Sequence, residues 1–177
     1  MNLQAPSPPV APHEPWPPPL YSPQERLRRD ATVWTRVQGV LAPVQFLIFL
    51  ISLGLVLRWL WTGQDFGWAT ASVVVKTAVL YTIMITGSIW EKVVFDRWLF
   101  APAFFWEDVV SMGVLALHTA YLVAWLTQTL APREQMLLAL AAYAAYVINA
   151  AQFLWKLRLA RLQPYPVEPL NAARAMP

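Results

Sequence analysis

The run from Trp90 to Asp108 places four carboxylic acids, Glu91, Asp96, Glu107 and Asp108, and two bases, Lys92 and Arg97, among bulky aromatic residues. A simple connector needs only a few polar residues and a turn. Carboxyl groups beside flat apolar walls can do more, because poor solvation disfavours the charged form and lets an acid keep its proton near neutrality. Glu107 and Asp108 are adjacent in the chain, and two carboxyls in poor solvent repel, which leaves one of them protonated. Such an environment can hold a proton on an acid or cradle a large planar ligand. A plainer reading stands beside it. Glu107 and Asp108 also sit at a helix start, where negative charge is welcome on dipole grounds alone. For Glu91 and Asp96 the favoured reading is pairing with Lys92 or Arg97 as interfacial anchors, although Glu91 stays among the candidate acids.

A helical wheel of 3.6 residues per turn brings Glu107, Ser111, Val114, His118, Tyr121 and Trp125 near one meridian. His118 then lies roughly 16 Å along the helix from Glu107, near the middle of a bilayer. Either it bonds to a neighbouring helix, or it is functional, as an axial ligand to a chelated magnesium or as the holder of a catalytic water. Further polar stripes comprise Tyr143, Tyr146, Asn149, Gln152 and Lys156 near the end of the chain, and Gln38, Gln45 and Ser52 at heptad spacing near its start. Such stripes are interhelical seams more often than ligand sites. Lys76 needs a partner or must snorkel outward, since a base at mid-helix costs about 2.5–3.5 kcal/mol.

Composition dictates the elements that position these groups. Only 13% of the 177 residues are charged and the mean hydropathy is +0.43, against about 25% charged in ordinary soluble domains. Apolar runs over about Val37–Trp61, Trp68–Phe95, Asp108–Leu130 and Glu134–Leu157 each suffice to span a bilayer, which takes about 20 residues. The expected fold is all-α: a polytopic membrane protein with four transmembrane helices in an antiparallel bundle. Arg26, Arg28, Arg29, Arg36, Lys92, Arg97, Lys156, Arg158 and Arg161 fall on one side and only Arg58 and Arg133 near the other, so both termini and the acid-aromatic connector should be cytosolic. Residues 1–23 form a proline-rich tail expected to be disordered, 24–162 the membrane domain, and 163–177 a short C-terminal tail. The chain has no cysteine, excluding disulfides and thiolate chemistry. No nucleotide loop, metalloprotease motif, nucleophile elbow or EF-hand occurs. The bases look like topology signals rather than a nucleic-acid footprint. Repeat symmetry of the kind small transporters carry is not evident.

The segments YSPQERLRRDATVWTRVQGVLAPVQF (21–46), VKT (75–77), TGSIWEKVVF (86–95), LFAPAFFWEDVVSM (99–112), ALHTAY (116–121) and AAYAAYVINAAQFLWK (141–156) resemble the 3-vinyl bacteriochlorophyllide hydratase family. The likeness covers roughly 21–162. It implies an integral-membrane hydro-lyase of bacteriochlorophyll a biosynthesis in a bacterial inner membrane, cytoplasmic or intracytoplasmic. Such an enzyme adds water to the C3 vinyl group of chlorophyllide a, or of its bacteriochlorin counterpart, to give the 3-(1-hydroxyethyl) product. Magnesium then belongs to the substrate, and no resident cofactor or protein metal site is expected. Implied partners are the pigment, the lipid bilayer and, as candidates, other pigment-biosynthesis enzymes; nucleic acid is not among them.

The resemblance brings no catalytic assignment, so roles rest on the residues. Protonating the terminal vinyl carbon leaves a cation delocalised into the ring, feasible with one well-placed acid. Glu107 or Asp108 is that candidate, the other being oriented by Ser111 or Lys92, with His118 and Glu91 completing the catalytic candidates. Trp90, Phe104, Phe105 and Trp106 are expected as walls for the ring, and Lys92 or Arg97 as the partner of its propionate. Ser111, Tyr121, Tyr146 and Asn149 are further substrate-binding candidates. A ring on the order of 10 Å across, about one helix diameter, would have to be tilted to reach both the acids and His118. The rival reading is a non-catalytic pigment carrier or assembly subunit, which needs His118 but not the acids.

Overall fold

The computed structural model describes residues 19–162, and the bulk of both expected tails lies outside them. Among the described residues there are five helices: α1 (Pro23–Ala31), α2 (Val33–Thr62), α3 (Phe66–Phe95), α4 (Phe105–Thr127) and α5 (Pro132–Leu162). The last four are long and apolar enough to cross a membrane. At 30 residues, α2 and α3 each run about 45 Å. A hydrocarbon core is about 30 Å thick, so the terminal turns reach into the headgroup zone.

The helix ends follow local chemistry. In α1 the Ser22 side chain accepts from the Glu25 amide while Glu25 accepts from the Ser22 amide, with Pro23 in the first turn; the reciprocal pair satisfies two otherwise orphaned donors. Thr32 ends α1 and caps α2 through Trp34. Gly63 closes α2 in the left-handed region at φ 70°, which glycine adopts without a Cβ penalty. Pro132 stands at the start of α5, and Glu134 accepts from the Ala131 amide.

This corrects the expected boundaries. α1 falls where the proline-rich tail meets the membrane domain and was not anticipated. The second span ends at Phe95 as expected, while the third opens at Phe105 rather than Asp108, so the connecting segment is residues 96–104. α5 continues beyond Leu157 to Leu162.

α2 packs chiefly on α3 and α4 chiefly on α5, with α2 against α5 and α3 against α4 closing the group. Their shared interior holds Phe49, Val56, Val73, Leu80, Val114, Tyr121, Met136 and Tyr143. The outer faces carry Leu47, Ile51, Trp61, Trp68, Ile85, Leu126 and Leu154, all exposed, as a lipid-facing surface requires. A second, smaller cluster of Tyr21, Val94 and Phe104, flanked by Trp90, Phe95 and Phe153, ties α1 to the ends of α3 and α5. Tyr21 stacks on Phe95 at 5.7 Å, and the Arg29 guanidinium lies 4.7 Å from the Tyr21 ring centroid. Burial, partly opposed by that guanidinium, raises the Tyr21 phenol above its ordinary range.

Candidate active site

Two left-handed residues shape the 96–104 loop: Asp96 at φ 61° and Phe100 at φ 58°. For residues other than glycine this conformation costs about 1–3 kcal/mol each. Its return is visible in the backbone amides. The Phe100 N–H donates to Asp108 Oδ2 at 2.8 Å, and the next N–H, from Ala101, donates to Glu91 Oε2 at 3.3 Å. Consecutive amides thus hold one carboxyl from α4 and one from α3. The two carboxyls are thereby held as neighbours on successive amides. Glu91 is 5% exposed and Asp108 3%. The pair is a buried carboxyl dyad, built from two helices and a strained loop.

Beside it, Glu107 is buried and receives Lys156 Nζ from α5 at 2.6 Å. The ammonium also sits 5.2 Å from the Phe104 ring centroid. Three buried carboxyls therefore occupy one layer, two held on loop amides and one ion-paired with a lysine. One turn deeper on α4, the buried Ser111 hydroxyl accepts from Asn149 Nδ2 of α5 at 2.8 Å.

The other candidates separate from this layer to different degrees. Asp96 is exposed and takes Lys92 at 2.6 Å; the ammonium bonded to it holds its carboxyl below the usual carboxylate range. It stands outside the acid group the sequence suggested. Lys92 consequently orients Asp96, not Glu107 or Asp108, while Arg97 points into solvent. Of the expected walls, Phe104 is 2% exposed within the aromatic cluster, and Trp90 is half-buried beside it with its indole N–H donated to Thr35 Oγ1 at 2.9 Å. Phe105 and Trp106 instead turn outward from the start of α4. Tyr121 lies deeper, its hydroxyl facing Thr70 and Gln135. Tyr146 packs its ring under Lys76 Nζ at 4.1 Å.

His118 is wholly buried, far along α4 from the dyad, with both ring nitrogens engaged: Nδ1 lies 2.8 Å from the Val114 carbonyl and Nε2 2.8 Å from Lys76 Nζ. A carbonyl can only accept, so Nδ1 carries the proton and the Nε2 lone pair takes the lysine. No lone pair is left for a magnesium, and the geometry matches a histidine bonded to a neighbouring helix. Lys76 finds the partner the sequence demanded of it. Among the described residues no group of three or more His, Asp and Glu side chains is arranged to hold a metal ion.

Sequence reasoning missed Lys156 as the partner of Glu107 and the loop amides as holders of the dyad. Lys156 was visible on the polar edge of its helix, one of several groups there. Nothing in the residue types marks Phe100 as left-handed. Two surface hollows lie elsewhere, along α2 by Leu57, Arg58 and Trp61 and at the end of α5 by Trp155, Arg158 and Leu162.

Comparison with known proteins bears on these residues directly. The family described as 2-vinyl bacteriochlorophyllide hydratase (BCHF) matches residues 21–159. A protein of that name from Cereibacter sphaeroides is 65% identical over 158 residues, covering 89% of this chain and 95% of the relative. Another from Rhodobacter capsulatus is 63% identical over 156 residues, covering 88% and 90%. No solved structure matches the chain. The matched segment begins at the buried Tyr21 and runs through the dyad to Lys156, so the chain belongs to the 2-vinyl bacteriochlorophyllide hydratase family.

Proposed function

We propose that this protein adds water across the ring-conjugated vinyl group of a magnesium tetrapyrrole, chlorophyllide a or its bacteriochlorin counterpart, giving the 1-hydroxyethyl product. The vinyl called 2 in the relatives' name is position 3 in systematic ring numbering. The observation that carries the mechanism is the Glu91–Asp108 dyad on the amides of Phe100 and Ala101. Its shared proton goes to the terminal vinyl carbon, and the π electrons of the double bond form the new C–H bond. The adjoining carbon becomes a cation spread over the macrocycle. A water oxygen bonds to that carbon and its proton passes to the Glu107 carboxylate, the partner of Lys156. Transfer of that proton back to the dyad resets the layer, and one water has been added. A positioned acid or base contributes about 10²–10⁴-fold.

The reaction uses no resident cofactor; magnesium enters and leaves with the pigment. The ring meets the aromatic groups around the 96–104 loop, with Lys92 or Arg97 beside its propionate. The long helices run antiparallel across a bacterial inner membrane with both termini and the acid layer at the cytosolic face, consistent with nine bases near that face. Residues 24–162 carry the activity, and the product passes to other pigment-forming enzymes. His118 serves the bundle rather than the magnesium, which removes the feature a pigment carrier would need.

The test is direct. Purified protein in lipid, supplied with the vinyl pigment, should yield a product heavier by one water. Asp108→Asn and Glu91→Gln should each lower turnover about 10²-fold or more while pigment binding persists. A carrier would bind pigment, leave its mass unchanged and ignore both substitutions.

A further inference from the structure

Among the described residues, Asp65, Asp96, Phe100 and Gln128 hold a positive φ without being glycine. Three of them stand where a helix begins or ends: Asp65 before α3, Asp96 after it and Gln128 after α4. Phe100 is the exception, at φ 58° within the 96–104 loop. A bulky side chain disfavours this region, and such strain persists only where the surroundings over-determine it. The backbone supplies half of the reason, since the N–H that this conformation presents donates to Asp108 Oδ2 at 2.8 Å.

The other half lies in the ring. Phe100 is 38% exposed, its ring centroid 5.8 Å from that of Phe105, which in turn meets Trp106 edge-on at 5.4 Å. Phe105 and Trp106 are exposed as well. These rings form an outward corner that a single residue joins to the dyad. An interfacial belt is a poor account of the corner: belts are built from tryptophan and tyrosine, and a phenylalanine facing lipid needs no left-handed backbone. Flat apolar faces suit a flat apolar occupant. Arg97, exposed and three residues before Phe100, offers a cation to an acidic substituent at its edge. The magnesium tetrapyrrole of the proposed reaction has both features.

We propose that Phe100 is a positioning residue for the hydration: the macrocycle packs on its ring together with Phe105 and Trp106, and that contact holds its N–H on Asp108. The inference rests on the hydratase reading. Pigment binding then fixes the left-handed backbone when the acid is needed, so contact made at the corner becomes dyad geometry one residue away.

Glycine and alanine at position 100 separate the ring from the amide. Both keep the N–H and lose the ring, but only glycine takes a positive φ freely. The full chain in lipid nanodiscs is supplied with vinyl chlorophyllide, and formation of the product heavier by one water is followed. Phe100→Gly should raise the pigment KM about tenfold, the worth of one aromatic contact, with kcat within about twofold of the wild type. Phe100→Ala should raise KM equally and also lower kcat about fivefold or more, because a left-handed alanine has no ring to be held. Phe100→Tyr keeps the ring and should restore both. A wild-type KM in Phe100→Gly would overturn the proposal, as would a kcat that falls as far with glycine as with alanine. Should Phe100→Gly not accumulate, Trp106→Leu at its exposed position should raise KM with kcat kept. An unchanged KM there overturns the corner as the pigment's seat, whether lipid or a second copy of the chain covers it instead. Wild-type protein that forms no hydrated product takes down the hydratase reading, and this inference with it.

Discussion

Lys156 is ion-paired with the Glu107 carboxylate inside a layer that is otherwise short of solvent. Removing the ammonium strands that charge, and breaking one half of a buried pair costs up to about 3–5 kcal/mol. The pair here is part-exposed, so the lower end applies. Lys156→Met should therefore lower thermal stability and turnover together. Adding Glu107→Gln should recover much of the stability and none of the turnover, because the stranded charge is gone but the proton acceptor is gone too. Thermal unfolding and product formation measured on the same three preparations would separate the two effects; recovery of turnover in the double variant would remove Glu107 from the mechanism. Asp96 serves as the contrast. It is exposed and paired only with Lys92, so Asp96→Asn should leave turnover at the wild-type level.

A nine-residue helix sets how the acid layer is roofed. Tyr21, at the entry to α1, is 3% exposed and packs on Phe95 and Phe104, and Phe104 in turn underlies Lys156. Truncating a buried aromatic costs about 3–5 kcal/mol, and a satellite cluster of this size places Tyr21→Ala near the bottom of that range. Deleting residues 1–18 should cost nothing measurable in turnover, whereas Tyr21→Ala should lower the melting temperature and slow hydration; equal turnover in both preparations would show that the roof is idle. The element scale is also where sequence and structure part company. Four spans were legible because uninterrupted hydropathy over some 20 residues has few other uses. α1 was hidden by its nine residues and the prolines before it, and the last turn of α5 by Arg158 and Arg161, which look like a terminus but are good helix formers. The acids and aromatics of the site were legible by type. Their partnerships were not: Glu91 reaches Asp108 only because a left-handed Phe100 folds the loop back, and Lys156 reaches Glu107 from another helix.

Among the described residues the outer faces of the long helices are apolar while polar and apolar side chains share the interior, and two interior contacts join elements that the tight α2–α3 and α4–α5 pairings leave apart. Lys76 binds His118 between α3 and α4, and Tyr143 binds Ser52 between α5 and α2. Both lie deeper than the carboxyl layer, so they should govern assembly rather than chemistry. His118→Gln keeps an acceptor for Lys76 and should retain most turnover, while His118→Leu leaves a base in the bundle at a cost of about 2.5–3.5 kcal/mol and should cut the amount of protein recovered from membranes. Tyr143→Phe removes its hydrogen bond to Ser52, and Ser52→Ala removes that bond and the one to Ser72; such bonds in membrane bundles average about 0.6 kcal/mol each. Their double variant should be less destabilised than the sum of the singles, because the bond can be lost only once. Thermal unfolding in detergent measures that coupling. Strict additivity would mean that the Tyr143–Ser52 contact does not help hold the two helix pairs together, leaving that task to Lys76, His118 and the packing of Phe49 against α5.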